Sequence, residues 1–171
     1  MRTRKRPQGI TLIELCFGLA IVALLVGMAA PGFRSGLRAA AVRSVTFELL
    51  AGLQQSRADA ILQARPADLC PSDAAGNCLP SHTPSSYWHA SVQTDIRQTG
   101  AGQSPPVLHA LPAGVVVRAS RSPLRFWPDA QGASTGTLTI CDTQGIAAPR
   151  AIVLNLSGRP RLADATAGNC R

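Results

Sequence analysis

The sequence predicts an α+β protein in which one long N-terminal helix packs on an antiparallel β-sheet head. Three observations carry this expectation. Residues 15–33 contain no charged side chain. Beyond them Val42, Val45, Leu49 and Leu53 recur at helical spacing. After Pro66 the helical pattern gives way to short apolar stretches separated by turn residues. A helix followed by a run of strands is the α+β order.

The 171 residues suit one compact domain and an apolar anchor. They divide into a basic leader at residues 1–9, a transmembrane and assembly half-helix at 10–33, an amphipathic half-helix at 34–65, and a β-rich head at 66–171. The leader holds four of the 17 basic residues, which places positive charge on the cytoplasmic side. It is not a conventional secretory signal, because the apolar run is long and ends without an A-x-A cleavage site. From Ile10 to Phe33 there is length for roughly 20 residues of membrane-spanning helix. Pro31 and Gly32 predict a kink, since proline removes a helical hydrogen bond. Ala58, Ile61 and Leu62 extend the apolar stripe of the second half, and the helix should stop before Pro66.

In the head, strands are expected over residues 67–70, 86–94, 114–120, 124–127, 136–141 and 150–156. Residues 98–106, with two glycines and two prolines, read as a loop. There is no internal repeat.

Glu14 stands out. A carboxylate one turn into a membrane-length helix costs roughly 2.5–3.5 kcal/mol at a bilayer centre, so it calls for a partner. An α-amine created by cutting after Gly9 would supply one at Ile10. The run Gly9-Ile10-Thr11-Leu12-Ile13-Glu14-Leu15, between a basic leader and an apolar helix, resembles the class III signal of type IV pilins and type II secretion pseudopilins. Ile10 stands where most members carry phenylalanine. The resemblance implies that a prepilin peptidase cuts between Gly9 and Ile10 and N-methylates Ile10, and that Glu14 pairs with a neighbouring subunit's terminal amine during assembly. It also implies an inner-membrane, single-pass precursor with its head in the periplasm, which then joins a pilus or pseudopilus of other pilins.

The head narrows the resemblance. Phe126-x-Pro128-Asp129, Gly132-x-x-Thr135-Gly136-Thr137-Leu138-Thr139-Ile140-Cys141 and Ile152-Val153-Leu154-x-x-Ser157-Gly158-Arg159 are similar to the GspH/FimT branch of minor pilins and pseudopilins. So is the spacing of Leu69-Cys70-Pro71-Ser72, Cys78 and Trp88.

Of five cysteines, Cys16 lies in the apolar helix and is expected to pack as a small hydrophobe. Cys70, Cys78, Cys141 and Cys170 lie in the part expected to be exported, where oxidation is permitted. Four cysteines allow three connectivities. Cys70–Cys78 with Cys141–Cys170 is preferred, because the first closes a small polar loop and the second ties the C-terminus to the sheet. A four-cysteine zinc site is the competing reading, but paired C-x2-C spacings are missing.

No catalytic constellation is visible. His82, His89 and His109 are scattered without a ligand cluster, Asp129 and Asp142 sit near turns, and there is no phosphate-binding loop. The expectation is a protein that is not an enzyme and needs neither metal nor cofactor. Without the leader, thirteen basic residues face nine acidic ones, so the formal charge falls from +8 to +4. All thirteen are arginine, which suits fork-like contacts to phosphate.

Gly158-Arg159-Pro160-Arg161 is the sharpest signal in the head. Gly158 suits a tight turn, Pro160 stiffens the link, and extended alternation would put Arg159 and Arg161 on one face. Two such forks suit neighbouring phosphates and sequence-independent, salt-sensitive binding of DNA. The segment resembles the G-R-x-R motif of FimT-like minor pilins, implicated in DNA binding during natural transformation. Arg150 and Arg171 are auxiliary candidates, with Arg118, Arg121 and Arg125 if they share that side. Trp88 and Trp127 suit core or loop packing better than base stacking. The alternatives are a GspH-like minor pseudopilin of a type II secretion system and a minor pilin acting only in assembly.

Overall fold

The computed structural model describes residues 11–93, 107–128 and 132–170. The leader with Gly9 and Ile10, the loop at 98–106, Asp129 and Arg171 lie outside the described residues. Helix α1 runs Leu12–Leu62 and the chain forms two compact units, Met1–Leu37 and Arg38–Arg171.

In the first unit the apolar side chains are exposed, among them Leu12, Ile13, Phe17, Leu24 and Val26. Cys16 is exposed with them rather than packed. Among the described residues no single helix is long and apolar enough to cross a membrane; Leu12–Met28 and Gly32–Leu62 meet that criterion by length and composition only as a bent pair. Helix α1 continues through residue 31, where the missing N–H of proline suits the bend.

In the second unit α1 buries Val42, Val45, Thr46, Leu49, Leu53, Ser56 and Ala60. Val42, Val45, Leu49 and Leu53 are the expected stripe, with Thr46 added to it, but its continuation differs: Ile61 and Leu62 are exposed at 50% and 81%. The 3.6-residue period carries the buried face from Leu53 to Ser56 and Ala60. Small residues are needed there because helix and sheet approach closely. A Cβ on Gly52 would lie 2.6 Å from the Trp88 ring. The buried hydroxyls of Thr46 and Ser56 donate to the carbonyls of Val42 and Gly52, which satisfies them.

Among the described residues the head holds two four-stranded sheets. Strands β1 (Ala67–Ser72), β2 (Tyr87–Val92), β3 (Val107–Ala110) and β5 (Leu124–Phe126) form one, in the order β3-β2-β1-β5. Strands β4 (Val115–Ala119), β6 (Gly136–Asp142), β7 (Arg150–Leu154) and β8 (Pro160–Asp164) form the other, in the order β4-β6-β7-β8. All strand pairs are antiparallel. A short 3-10 turn, Ala167–Cys170, follows β8.

Helix and sheets share one core that includes Leu49, Leu53, Leu69, Trp88, Phe126, Leu138, Ile140, Ile152 and Leu154. Trp88 is a core residue, and the His109 ring stacks on it at 4.1 Å between centroids while reaching Glu48 at 3.2 Å. Cys70 is bonded to Cys78 and Cys141 to Cys170. His89 lies 3.5 Å from the Cys70 sulfur. Burial pushes the His89 ring below its ordinary pKa, against the opposing pull of Asp68 and Asp73. Among the described residues Cys70, Cys78 and His89 make a cluster of metal-ligand type. Two of its three ligand atoms are joined in a disulfide and are not the thiolates that bind metal.

Candidate functional site

Two surfaces carry the residues singled out by sequence. At the start of α1 the Thr11 hydroxyl donates to the Glu14 carboxylate at 3.2 Å, and the Glu14 N–H donates to the Thr11 hydroxyl oxygen at 3.4 Å. The Thr11 N–H also reaches Glu14 at 3.4 Å. This reciprocal arrangement is a capping box, which satisfies helix-end donors and places a carboxylate at the positive end of the helix dipole.

The second surface is the β7–β8 turn. The Asn155 side-chain oxygen accepts from the Arg159 N–H at 2.9 Å and from the Ser157 hydroxyl at 2.8 Å. The Gly158 N–H donates to the Asn155 carbonyl at 2.9 Å. Gly158 has a φ of 71°, a left-handed conformation that favours glycine. A Cβ added there would lie 3.5 Å from both the Ala133 methyl and Arg57 Nε. The Ala133 N–H in turn donates to the Leu156 carbonyl at 2.9 Å. The turn is therefore held by Asn155 within it and by Ala133 beside it, with Arg57 of α1 alongside.

Arg159 and Arg161 are both exposed. Arg159 precedes β8 and lines a groove of about 550 Å³ with Gln54, Arg57, Ala58, Ile61 and Pro160. Arg161 lies within β8 opposite Val153, while Pro160 lies opposite the core residue Leu154. Alternation thus puts Arg161 on the sheet face away from Leu154 and Ile152. Arg150 is half-buried, in register with Asp164 and Ile140. The parity of β7 sets Arg150 with Ile152 and Leu154, on the opposite face from Arg161.

The conditional auxiliaries separate from this turn. Arg118 is on β4, at the far edge of the sheet from β8. Arg125 is committed to Asp68, with its Nε and one terminal nitrogen at 2.8 and 2.9 Å from the carboxylate oxygens. Those hydrogen bonds hold the Arg125 guanidinium above its ordinary pKa. Arg121 lines a smaller groove with Ser122, Pro123, Arg125, Trp127 and Ser134, and Trp127 is 40% exposed there.

Asp142 is structural: it accepts from the N–H groups of Gln144, Ile146 and Ala147. Burial would raise its pKa, but those bonds outweigh burial and hold it below the ordinary carboxylate value. Sequence reasoning missed Arg57 and Asn155. Asn155, three residues before Gly158, is a recognisable turn signal; Arg57 is brought to the turn only by tertiary packing.

No curated protein matches the sequence. Among solved structures, the type IV minor pilin FimU of Pseudomonas aeruginosa is 18% identical, covers 71% of this chain and 87% of its own, and superposes with a TM-score of 0.50. The minor pseudopilin EpsH from the Type 2 Secretion System of Vibrio cholerae is 11% identical, covers 72% and 96%, and gives 0.53. At these identities the likenesses show a shared fold, which is that of pilins and pseudopilins. The family profile described as Type II transport protein GspH matches residues 46–158, well over half of the chain. Arg159 and Arg161 fall just beyond that match, so family membership says nothing about them. With a helix packed on antiparallel sheets and this matched head, the chain belongs to the GspH family of type IV pilin-like proteins.

Proposed function

We propose that the chain is a minor type IV pilin that assembles into a pilus and binds DNA without sequence preference through Arg159 and Arg161, aiding DNA uptake in natural transformation. The observation that carries this reading is the turn itself. It presents two exposed arginines on a rigid frame, and their side chains make no ion pair among the described residues. Gly158 and Pro160 shape the turn and Arg171 is an auxiliary contact, whereas Arg150, on the opposite sheet face and at the far end of β7, is left out of the site. Phosphate contacts of this kind give affinity that falls with salt and carries no base sequence.

The N-terminal half of the reading is assembly. The prepilin peptidase cuts between Gly9 and Ile10, and the precursor sits in the inner membrane through residues 10–33 with its head in the periplasm. The exposed apolar side chains of the first unit support this, since such a surface calls for lipid or neighbouring helices. Glu14 then pairs with the processed terminus of a neighbour. Glu14→Ala should leave the protein inserted but exclude it from sheared filaments; wild-type levels in the filament fraction would refute the pairing.

Fluorescence anisotropy with labelled duplex DNA, using the full chain in nonionic detergent, tests the DNA reading. With two to four phosphates neutralised, the log–log salt slope should be about −2 to −4. Arg159→Ala/Arg161→Ala should reduce that slope by about two units. Absence of wild-type binding at low salt would end the DNA reading. It would favour a minor pseudopilin of a type II secretion system, the second reading, which the family description supports.

A further inference from the structure

We infer that the phosphate seat of the head is the groove between α1 and the β7–β8 turn, and that Arg57 on the helix is the partner of Arg159 in holding one phosphodiester there. The inference rests on the DNA reading above and assigns its central contact to a residue outside the G-R-x-R segment. Arg57 and Arg159 line one groove of about 550 Å³, whose other lining residues are Gln54, Ala58, Ile61 and Pro160. None of the six is acidic. Arg57 makes no hydrogen bond or ion pair among the described residues, although it is half-buried.

Two guanidinium groups lining one groove without a carboxylate give it a positive potential that an anion would neutralise. Arg57 stands directly beside the turn: a Cβ at residue 158 would meet its Nε at 3.5 Å, an ordinary van der Waals contact. Ala58, Ile61 and Pro160 give the groove an apolar wall suited to a deoxyribose, and Gln54 adds a neutral hydrogen-bonding group. Arg161, absent from the groove lining and on the outer face of β8, reaches a neighbouring phosphate instead. The strand backbone would then cross the turn, one phosphate in the groove and the next outside it.

The test uses the full chain in nonionic detergent and a labelled 30-base-pair duplex at several salt concentrations. It compares Arg57→Gln, Arg57→Lys, Arg159→Gln and the Arg57→Gln/Arg159→Gln pair, with unfolding midpoints measured for each. Arg57→Gln should weaken binding about tenfold at low salt and lower the salt slope by about one. Arg57→Lys should keep the slope, because the charge remains, even where it loses affinity through its different geometry. Because both arginines hold one phosphate, the double variant should lose less than the product of the single losses. If Arg57→Gln keeps the wild-type slope while Arg159→Gln loses affinity, the groove assignment is overturned and the DNA reading stands. Wild-type protein that binds no duplex at low salt overturns both.

Discussion

Gly132→Ala is expected to destabilise the head by about 3 kcal/mol, the sum of a strained backbone and a displaced hydrogen bond. Gly132 has a φ of 102°, where a side chain is disfavoured whatever the space around it. A Cβ there would also overlap the Leu156 carbonyl oxygen, the acceptor of the Ala133 N–H. The two segments must part, and that contact is what fixes the arginine-bearing turn. Gly145→Ala is the control: its φ is 68°, but nothing lies within 4 Å of the added methyl, so only the backbone term of about 1 kcal/mol should remain. Urea unfolding of the two oxidised variants separates the effects. Equal losses would show that backbone conformation alone, not contact with Leu156, makes residue 132 a glycine.

Removing the Cys141–Cys170 bond by a double serine substitution should cost about 3.5 kcal/mol on the chain-entropy model. The bond spans 29 residues, against 8 for Cys70–Cys78, for which the same relation gives about 2.5 kcal/mol. Between Cys141 and Cys170 lie all of β7, the arginine turn and β8, so the larger loop is also the one that carries the candidate site. Denaturant midpoints of the two double mutants, read with their m-values, check the order. A greater loss from the Cys70–Cys78 pair would mean that packing around His89, rather than loop closure, governs these bridges.

Much of this architecture can be read from residue order, and the parts that cannot share a cause. The α1 stripe through Val42, Val45, Leu49 and Leu53 and the strands β4 to β7 follow from local periodicity, which is a property of the chain alone. Strand β8 does not, because Pro160-Arg161-Leu162-Ala163-Asp164 has weak strand character and is extended by its ladder with β7. Strand β3 is a four-residue segment held by pairing with β2, at the margin of what alternation can reveal. The division of the head into two sheets depends on strand order, which no period encodes. Ile61 and Leu62 read as core because they are apolar; the close approach at Gly52 decides instead for Ser56 and Ala60. For the same reason the G-R-P-R turn is visible in sequence, while Arg57, about a hundred positions earlier in the chain, becomes its neighbour only when α1 packs.

The Thr11–Glu14 cap changes what recruitment of Glu14 would involve. Its carboxylate already has a resident partner in the Thr11 hydroxyl and amide. An incoming amine therefore competes with a bond already made, and subunit joining becomes an exchange rather than the rescue of a stranded charge. Under the proposed assembly role, exchange would lower the net gain of each joining event and ease its reversal.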